Sequence, residues 1–419
     1  MKLRRIVVFS FAALLLATGL WVVGGNMWAA RKEEQYERAW IATFGSLEDL
    51  KKKYPKRDTN ETAKKLEQLT RGTVFDLTPV VGSVEPEEMG RWDEWNRSQG
   101  TVDYLLAQIA RPEASIDPPS ENVIRFLEEK RVILDAIESI LAAGPPPQWA
   151  LDLSFPENAR RKPNALGQIR LQRILTARAL AAEQRDQNEF AARSLDASWN
   201  LNESLRGRPE IIPALLSTAI ARFQVGILRK VTVEENGWRK RLETLDGRTV
   251  FLDADVILGV RPKFARTWWR YVLEEYGEAS WFRRAWQVLE APAHRVANVE
   301  YSYLMRDELS HLRDVPLSDH FPEPPAPNVY TRNSLLRADR LVVDTELTSK
   351  ILEAKHLRRE NGGRWPAAIP GIEASLFPGA SWRYEASSDG SRISIAFSRE
   401  LVSPYPPDVK PLPLLFFSD

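Results

Sequence analysis

Two stretches of the sequence share a short pattern, Glu-x-x-His: Glu308-Leu309-Ser310-His311 and Glu353-Ala354-Lys355-His356. On a helix, residues three apart lie on one face, so each pattern sets a carboxylate beside an imidazole. Two such pairs with two further glutamates build a dinuclear iron or manganese site in a bundle core. The apolar stripes favour a solvated flank instead. On the first helix the stripe is Tyr301, Met305, Leu309 and Leu312, and Glu308 and His311 lie beside it. On the second it is Val343, Leu347, Ile351 and Ala354, and His356 shares a polar face with Ser349, Glu353 and Glu360. No metal site is therefore expected.

A second constellation is aromatic. Trp268, Trp269 and Tyr271 precede Glu274, Glu275 and Glu278, with Trp281, Phe282 and Trp286 beyond. Aromatic faces stack on sugars, and paired carboxylates can share acid and base work at a glycosidic bond. Aromatics at helical spacing are more often core, and the acids can pair with Arg270, Arg283 and Arg284 across helix turns. Other chemistries lack their residues. Cysteine is absent and the histidines are His294, His311, His320 and His356. That excludes a cysteine nucleophile, a disulfide framework and a thiolate metal site. No phosphate-binding loop, dinucleotide fingerprint or nucleophile elbow occurs. No catalytic set is assigned and no cofactor is expected. With 58 basic against 57 acidic residues, the chain carries no excess charge for a nucleic-acid partner.

The elements around these candidates begin with an apolar run. Lys2, Arg4 and Arg5 precede 25 residues without charge, Ile6 to Ala30. About 20 helical residues cross the hydrocarbon layer of a bilayer. Trp21 and Trp28 suit an interfacial aromatic belt. Arg31 and Lys32 follow at once, so the positive charges nearly balance; the free amine tips the orientation to an internal amino terminus. A cleaved signal peptide, with Ala17-Thr18-Gly19 at the cut, is the rival reading. Either way the bulk of the chain is expected outside the cytoplasm, and a partner role for the bilayer falls on residues 6–30. The basic clusters Lys51-Lys52-Lys53 and Arg160-Arg161-Lys162 read as solvated loop charge.

Helices are expected over 31–44, after Asn60, over 92–110, 121–143, 164–185, 188–205 and 211–230, then 262–290, 297–313 and 332–360. Gly144-Pro145-Pro146-Pro147 and Arg206-Gly207-Arg208-Pro209 are breaks. Trp382, Tyr384 and Ala386, then Ile393, Ile395 and Phe397, alternate across Ser388-Asp389-Gly390, which predicts a β-hairpin. The apolar end Leu414 to Phe417 offers a further strand. The expected fold is mainly α: an amino-terminal transmembrane helix (1–30), a helical-hairpin ectodomain (31–314), a Pro-rich connection (315–331), and a small α+β unit (332–419) with an antiparallel hairpin.

Some of these words are familiar. Pro163-Asn164-Ala165-Leu166-Gly167, Leu171 to Leu175, Ala197-Ser198-Trp199-Asn200-Leu201-Asn202, Arg208-Pro209-Glu210 and Gly226 to Arg229 resemble an uncharacterised bacterial family of single-pass envelope proteins, over roughly residues 1–260. Ser46 to Leu50 and Asn60 to Ala63 fit the same pattern. The resemblance implies architecture and location and supplies no site residues. The long helix, the turn Asn361-Gly362-Gly363-Arg364-Trp365-Pro366 and the small sheet are similar to the carboxyl half of a type II secretion pseudopilin, although the pilin leader is absent. The anchor, the helical hairpins and the lack of a convergent catalytic set lead to the expectation of a membrane-anchored, non-enzymatic envelope protein in the inner membrane, with a periplasmic body that binds a protein partner. The alternative is an envelope glycan binder or glycan-acting enzyme using Trp268–Trp286.

Overall fold

The computed structural model describes residues 2–78, 92–153, 164–259, 281–318, 329–406 and 409–418. Among them are thirteen helices and one small antiparallel sheet, so the mainly helical fold with a carboxyl-terminal sheet is as expected. The expected segments are contiguous; the packing units are not. One unit joins Met1–Lys53 to Asp255–Val315, and the other is built mainly from Tyr54–Ala254 and Val329–Asp419.

In the first unit, α1 (Lys2–Phe44) is one continuous helix of 43 residues, about 64 Å long at 1.5 Å per residue. It ends where Gly45, at φ 88°, takes a left-handed turn that a side chain would resist. A short α2 (Leu47–Lys53) follows, its lysines Lys51 and Lys52 answering Glu48 and Asp49 one turn earlier. The partner of α1 is α12 (Trp281–Asp314).

The second unit is a helical stack. Asn60 caps α3 (Glu61–Thr70) by accepting from the Ala63 amide, and Asn164 caps α7 (Ala165–Glu183) by accepting from Leu166 and Gly167. Between them lie α4 (Trp92–Ile109), α5 (Glu121–Glu129) and α6 (Arg131–Ala143). The expected single helix 121–143 is broken at Lys130, whose backbone (φ −94°, ψ 0°) leaves the helical region. Next come α8 (Asn188–Arg206), α9 (Ile211–Leu228), α10 (Glu235–Glu243) and α11 (Gly247–Gly259). Helices α7, α8 and α9 pack on one another, α4 covers α7, and α13 (Val329–Glu360) lies on α9 and α10. Their core holds Leu171, Ile174, Leu175, Leu180, Leu195 and Leu201, all fully buried. Each such side chain contributes about 1.5–3 kcal/mol relative to exposure.

A ladder of buried side-chain amides and hydroxyls threads this apolar core. The Gln224 Nε2 donates to Ser198 Oγ at 2.9 Å, Ser198 Oγ donates to Gln172 Oε1 at 3.1 Å, and Asn202 Nδ2 donates to Gln224 Oε1 at 3.3 Å. The ladder ties α7, α8 and α9 in one register, because a slip would strand each group unpaired. Beyond Gly362 and Gly363 the chain turns into β1 (Trp382–Ala386) and β2 (Ile393–Phe397), paired antiparallel with Tyr384 opposite Ile395. The apolar end supplies β3 (Leu415–Ser418), Phe416 opposite Ile395. On its other side β3 meets the loop after α4: Ala114 N donates to Phe417 O at 3.0 Å.

Candidate functional site

The apolar half of α1 is open. Phe9, Leu16, Leu20, Trp21, Val23, Met27 and Trp28 are each more than half exposed. The same helix becomes a core helix further on, where Ala29, Tyr36 and Trp40 are buried. So one rod has two surroundings: a stretch whose apolar side chains are largely exposed among the described residues, then a face sealed by α12.

The two helices run parallel. Trp21, Gly25, Glu33 and Tyr36 of α1 meet Leu289, Pro292, Arg295 and Tyr303 of α12 in order. The expected helices 262–290 and 297–313 leave a gap around Pro292, yet α12 continues through it. A proline removes one ladder donor and pushes on the preceding turn. Two features of α1 absorb this. Gly25 leaves room for the ring, since a Cβ there would stand 2.8 Å from the Pro292 Cβ. The Trp21 Nε1 donates to the Leu289 carbonyl at 2.9 Å, in the turn the proline disturbs. One turn on, Arg295 grips Glu33 with two bonds of 2.8 and 2.6 Å and reaches Asn26 Oδ1 at 2.7 Å. Such a fork is directional, so it fixes the rotation of α1 as well as its distance.

In the second unit charge is buried at two places. Arg178, on α7, bonds Asp135 and, at 3.0 Å, Glu138, which also accepts from Ser194 Oγ at 2.6 Å. Burial pushes the Glu138 carboxyl up, against the Ser194 bond and Arg178. Beside this pair a cavity of about 690 Å³ opens at the turn between α7 and α8, lined among others by Arg131, Arg185, Arg193, Glu128 and Phe190. Its cations alternate with Glu128, Asp186 and Glu189, so it offers no single sign of charge to a ligand.

The other place is between α9 and α13. Arg229 donates from Nε to Thr348 Oγ1 at 2.9 Å and from Nη2 to Asp344 Oδ1 at 3.3 Å. Burial lowers its guanidinium to about 10, with Asp344 opposing the shift. Lys230, next in the chain, donates to the carbonyls of Glu113 and Ser115. Burial, then the charge of Arg111, lowers its ammonium to about 8.

The two Glu-x-x-His pairs belong to different helices, α12 and α13. Glu308 is half-buried and His311 exposed on α12 in the first unit. In the second unit Glu353 pairs with Arg239, and His356 lies 3.4 Å from Glu360. Among the described residues, no group of three or more carboxylate or histidine side chains is placed to hold a metal ion. Trp268, Trp269, Tyr271, Glu274, Glu275 and Glu278 lie outside the described residues, as do Arg160 to Lys162; Trp281, Phe282 and Trp286 belong to the first two turns of α12. Sequence reasoning missed the buried arginines of α9. A signal was present: Arg222 and Arg229 stand seven apart, two turns along one face of a helix that is otherwise apolar, and charges there must find partners. Compared with known proteins, the chain matches no family model, no curated protein and no solved structure.

Proposed function

We propose that this chain is a membrane-anchored, non-enzymatic envelope protein. In this reading residues 6–30 lie in the inner membrane and the helical body, on the outer side of the cytoplasmic membrane, binds a protein partner. The observation that carries it is the open apolar face of α1, from Phe9 to Trp28, on a segment without a charge between Ile6 and Ala30. In water such a face costs about 25 cal/mol for each Å² of apolar surface left exposed. In lipid it costs nothing, and a helix satisfies its own backbone there.

The pairing with α12 supports the same reading. The fork of Arg295 on Glu33 holds the rod at the point where its apolar surface ends. Buried polar ladders, with no gathered acid–base set among the described residues, suit binding better than turnover. Two measurements test this. A periplasm-dependent reporter enzyme fused at Asp419 is expected to be active, and the chain is expected to stay in the membrane pellet after alkaline carbonate extraction. A reporter active in the cytosol alone, or full release by carbonate, overturns the reading.

A further inference from the structure

The cavity at the turn between α7 and α8 lies wholly within the second unit, and its volume of about 690 Å³ is that of a small-molecule site. Part of its wall is apolar. Leu127, Ala181 and Ala182 are each more than nine-tenths buried, and Ile124 is half-buried beside them. Phe190 lines it too, with the Arg178 guanidinium 4.4 Å and the Arg193 guanidinium 5.0 Å from the centre of its ring. Arg178 is held in place, because Asp135 and Glu138 bond both of its terminal nitrogens. The turn is fixed as well. The Gln187 amide donates back to the Ala182 carbonyl at 3.0 Å, and Asp186 takes a left-handed φ of 58°, which no other non-glycine residue among the described ones adopts. A site shaped in advance loses little freedom when a ligand enters.

The mouth carries charges of both signs, and some are unspent. The charge of Arg178 is met by Asp135 and Glu138, and Arg131 lies 3.6 Å from Glu128. Arg185, Asp186 and Glu189 also line the cavity, all exposed, and among the described residues none of the three makes an ion pair. A ligand of one sign would be repelled by part of this set. A ligand with both signs on an apolar body meets a partner at every point. A short peptide with free ends is such a body: its carboxylate matches a guanidinium fork, its ammonium a carboxylate, and its side chains the apolar wall.

We propose that this cavity binds a short apolar peptide with both ends free, its carboxylate on Arg185, its ammonium on Asp186 and Glu189, and its side chains against Leu127, Ala181 and Ala182. Such binding goes beyond anchoring and does not depend on it, since every residue named belongs to the second unit. It also separates a free peptide from a protein partner. An internal segment of a protein brings neither terminal charge, and the end of a chain brings one.

The test is isothermal titration of the full chain in an uncharged detergent, with the heat from protein-free micelles subtracted. The probe is the dipeptide Leu-Leu with free ends. Its amino-acetylated and carboxyl-amidated forms each lose one charge. The free dipeptide is expected to bind, and each blocked form to bind at least about tenfold more weakly, the contribution of one hydrogen-bonded charge. Arg185→Gln should bring the free acid and the amide to equal affinity. Asp186→Asn with Glu189→Gln should do the same for the free and the acetylated amine. These positions are exposed and asparagine tolerates the left-handed turn, so an unchanged melting temperature is expected of both variants. No binding of the free dipeptide, or a blocked form that binds as tightly as the free one, overturns the proposal. So does a penalty for blocking that survives in the variants, since the charges being read would then lie elsewhere.

Discussion

Helices α1 and α9 are both long and apolar, and they meet opposite surroundings. By length and composition α9 could cross a bilayer, with a mean hydropathy of 1.7 over Ile211–Leu228, yet nearly three quarters of it is buried in protein. Along α1, the apolar residues from Phe9 to Trp28 are open. The polar side chains make the difference. Those of α9 need protein: Gln224 donates to Ser198 and accepts from Asn202 of α8 at 3.3 Å, and Arg222 donates to the Lys410 carbonyl. Between Ile6 and Gly25, α1 has only Ser10, Thr18 and the Trp21 indole to satisfy. Hydropathy says that water is avoided; spaced polar groups say what replaces it.

The sharpest way to break this comparison is a charge in each helix. Leu20→Asp should move the chain from the membrane pellet to the supernatant and leave the melting of the body unchanged. Ile220→Asp, at a fully buried site, should unfold the second unit, a loss of more than about 4 kcal/mol. Fractionation and circular dichroism read the two outcomes. If Leu20→Asp unfolded the body instead, α1 would be a core helix like α9.

A smaller effect sharpens the contrast between their neighbourhoods. Arg178→Ala strands Glu138 in the core and should cost about 3–5 kcal/mol in urea denaturation. Arg295→Ala removes the fork on Glu33, where both side chains keep some access to solvent, and should cost less, about 1–3 kcal/mol. Equal losses would mean that the α1–α12 seam is as dry as the stack.

The smallest effect concerns Lys230, just past the end of α9. Burial lowers its ammonium to about 8, below the ordinary lysine value of about 10.5. The folded state therefore releases this proton first as pH rises, and the unfolded state binds more protons between those values. Its contribution to stability thus rises from about pH 8 to pH 10.5, by an amount on the order of 2 kcal/mol. Lys230→Met should flatten that rise in melts across the interval. A rise of equal size in the variant would assign it to other groups.

Much of the stack was legible, because its signals are local. Asn60 and Asn164 announce their caps, Arg206-Gly207-Arg208-Pro209 its break, and the alternation around Asp389 its hairpin. What escaped depends on residues far apart. Pro292 reads as a helix end until Gly25 and Trp21, more than 260 positions earlier, are seen to accommodate it. The break at Lys130 has no glycine or proline to mark it. The hydrogen bond from Arg222 to the Lys410 carbonyl joins positions nearly two hundred residues apart, and no spacing rule reaches that far. The two Glu-x-x-His pairs were local patterns too, and so short a pattern recurs on helices by chance.

The order of synthesis gives β3 a last consequence. Its strand closes a gap between β2 and the loop at Ala114, made roughly three hundred residues earlier, an extreme separation for a contact. At a ribosome adding about 5–20 residues per second, that loop waits roughly 15 to 60 seconds for its neighbour. Until then two backbone edges stand open to any passing strand, and that interval is when a chaperone would matter most.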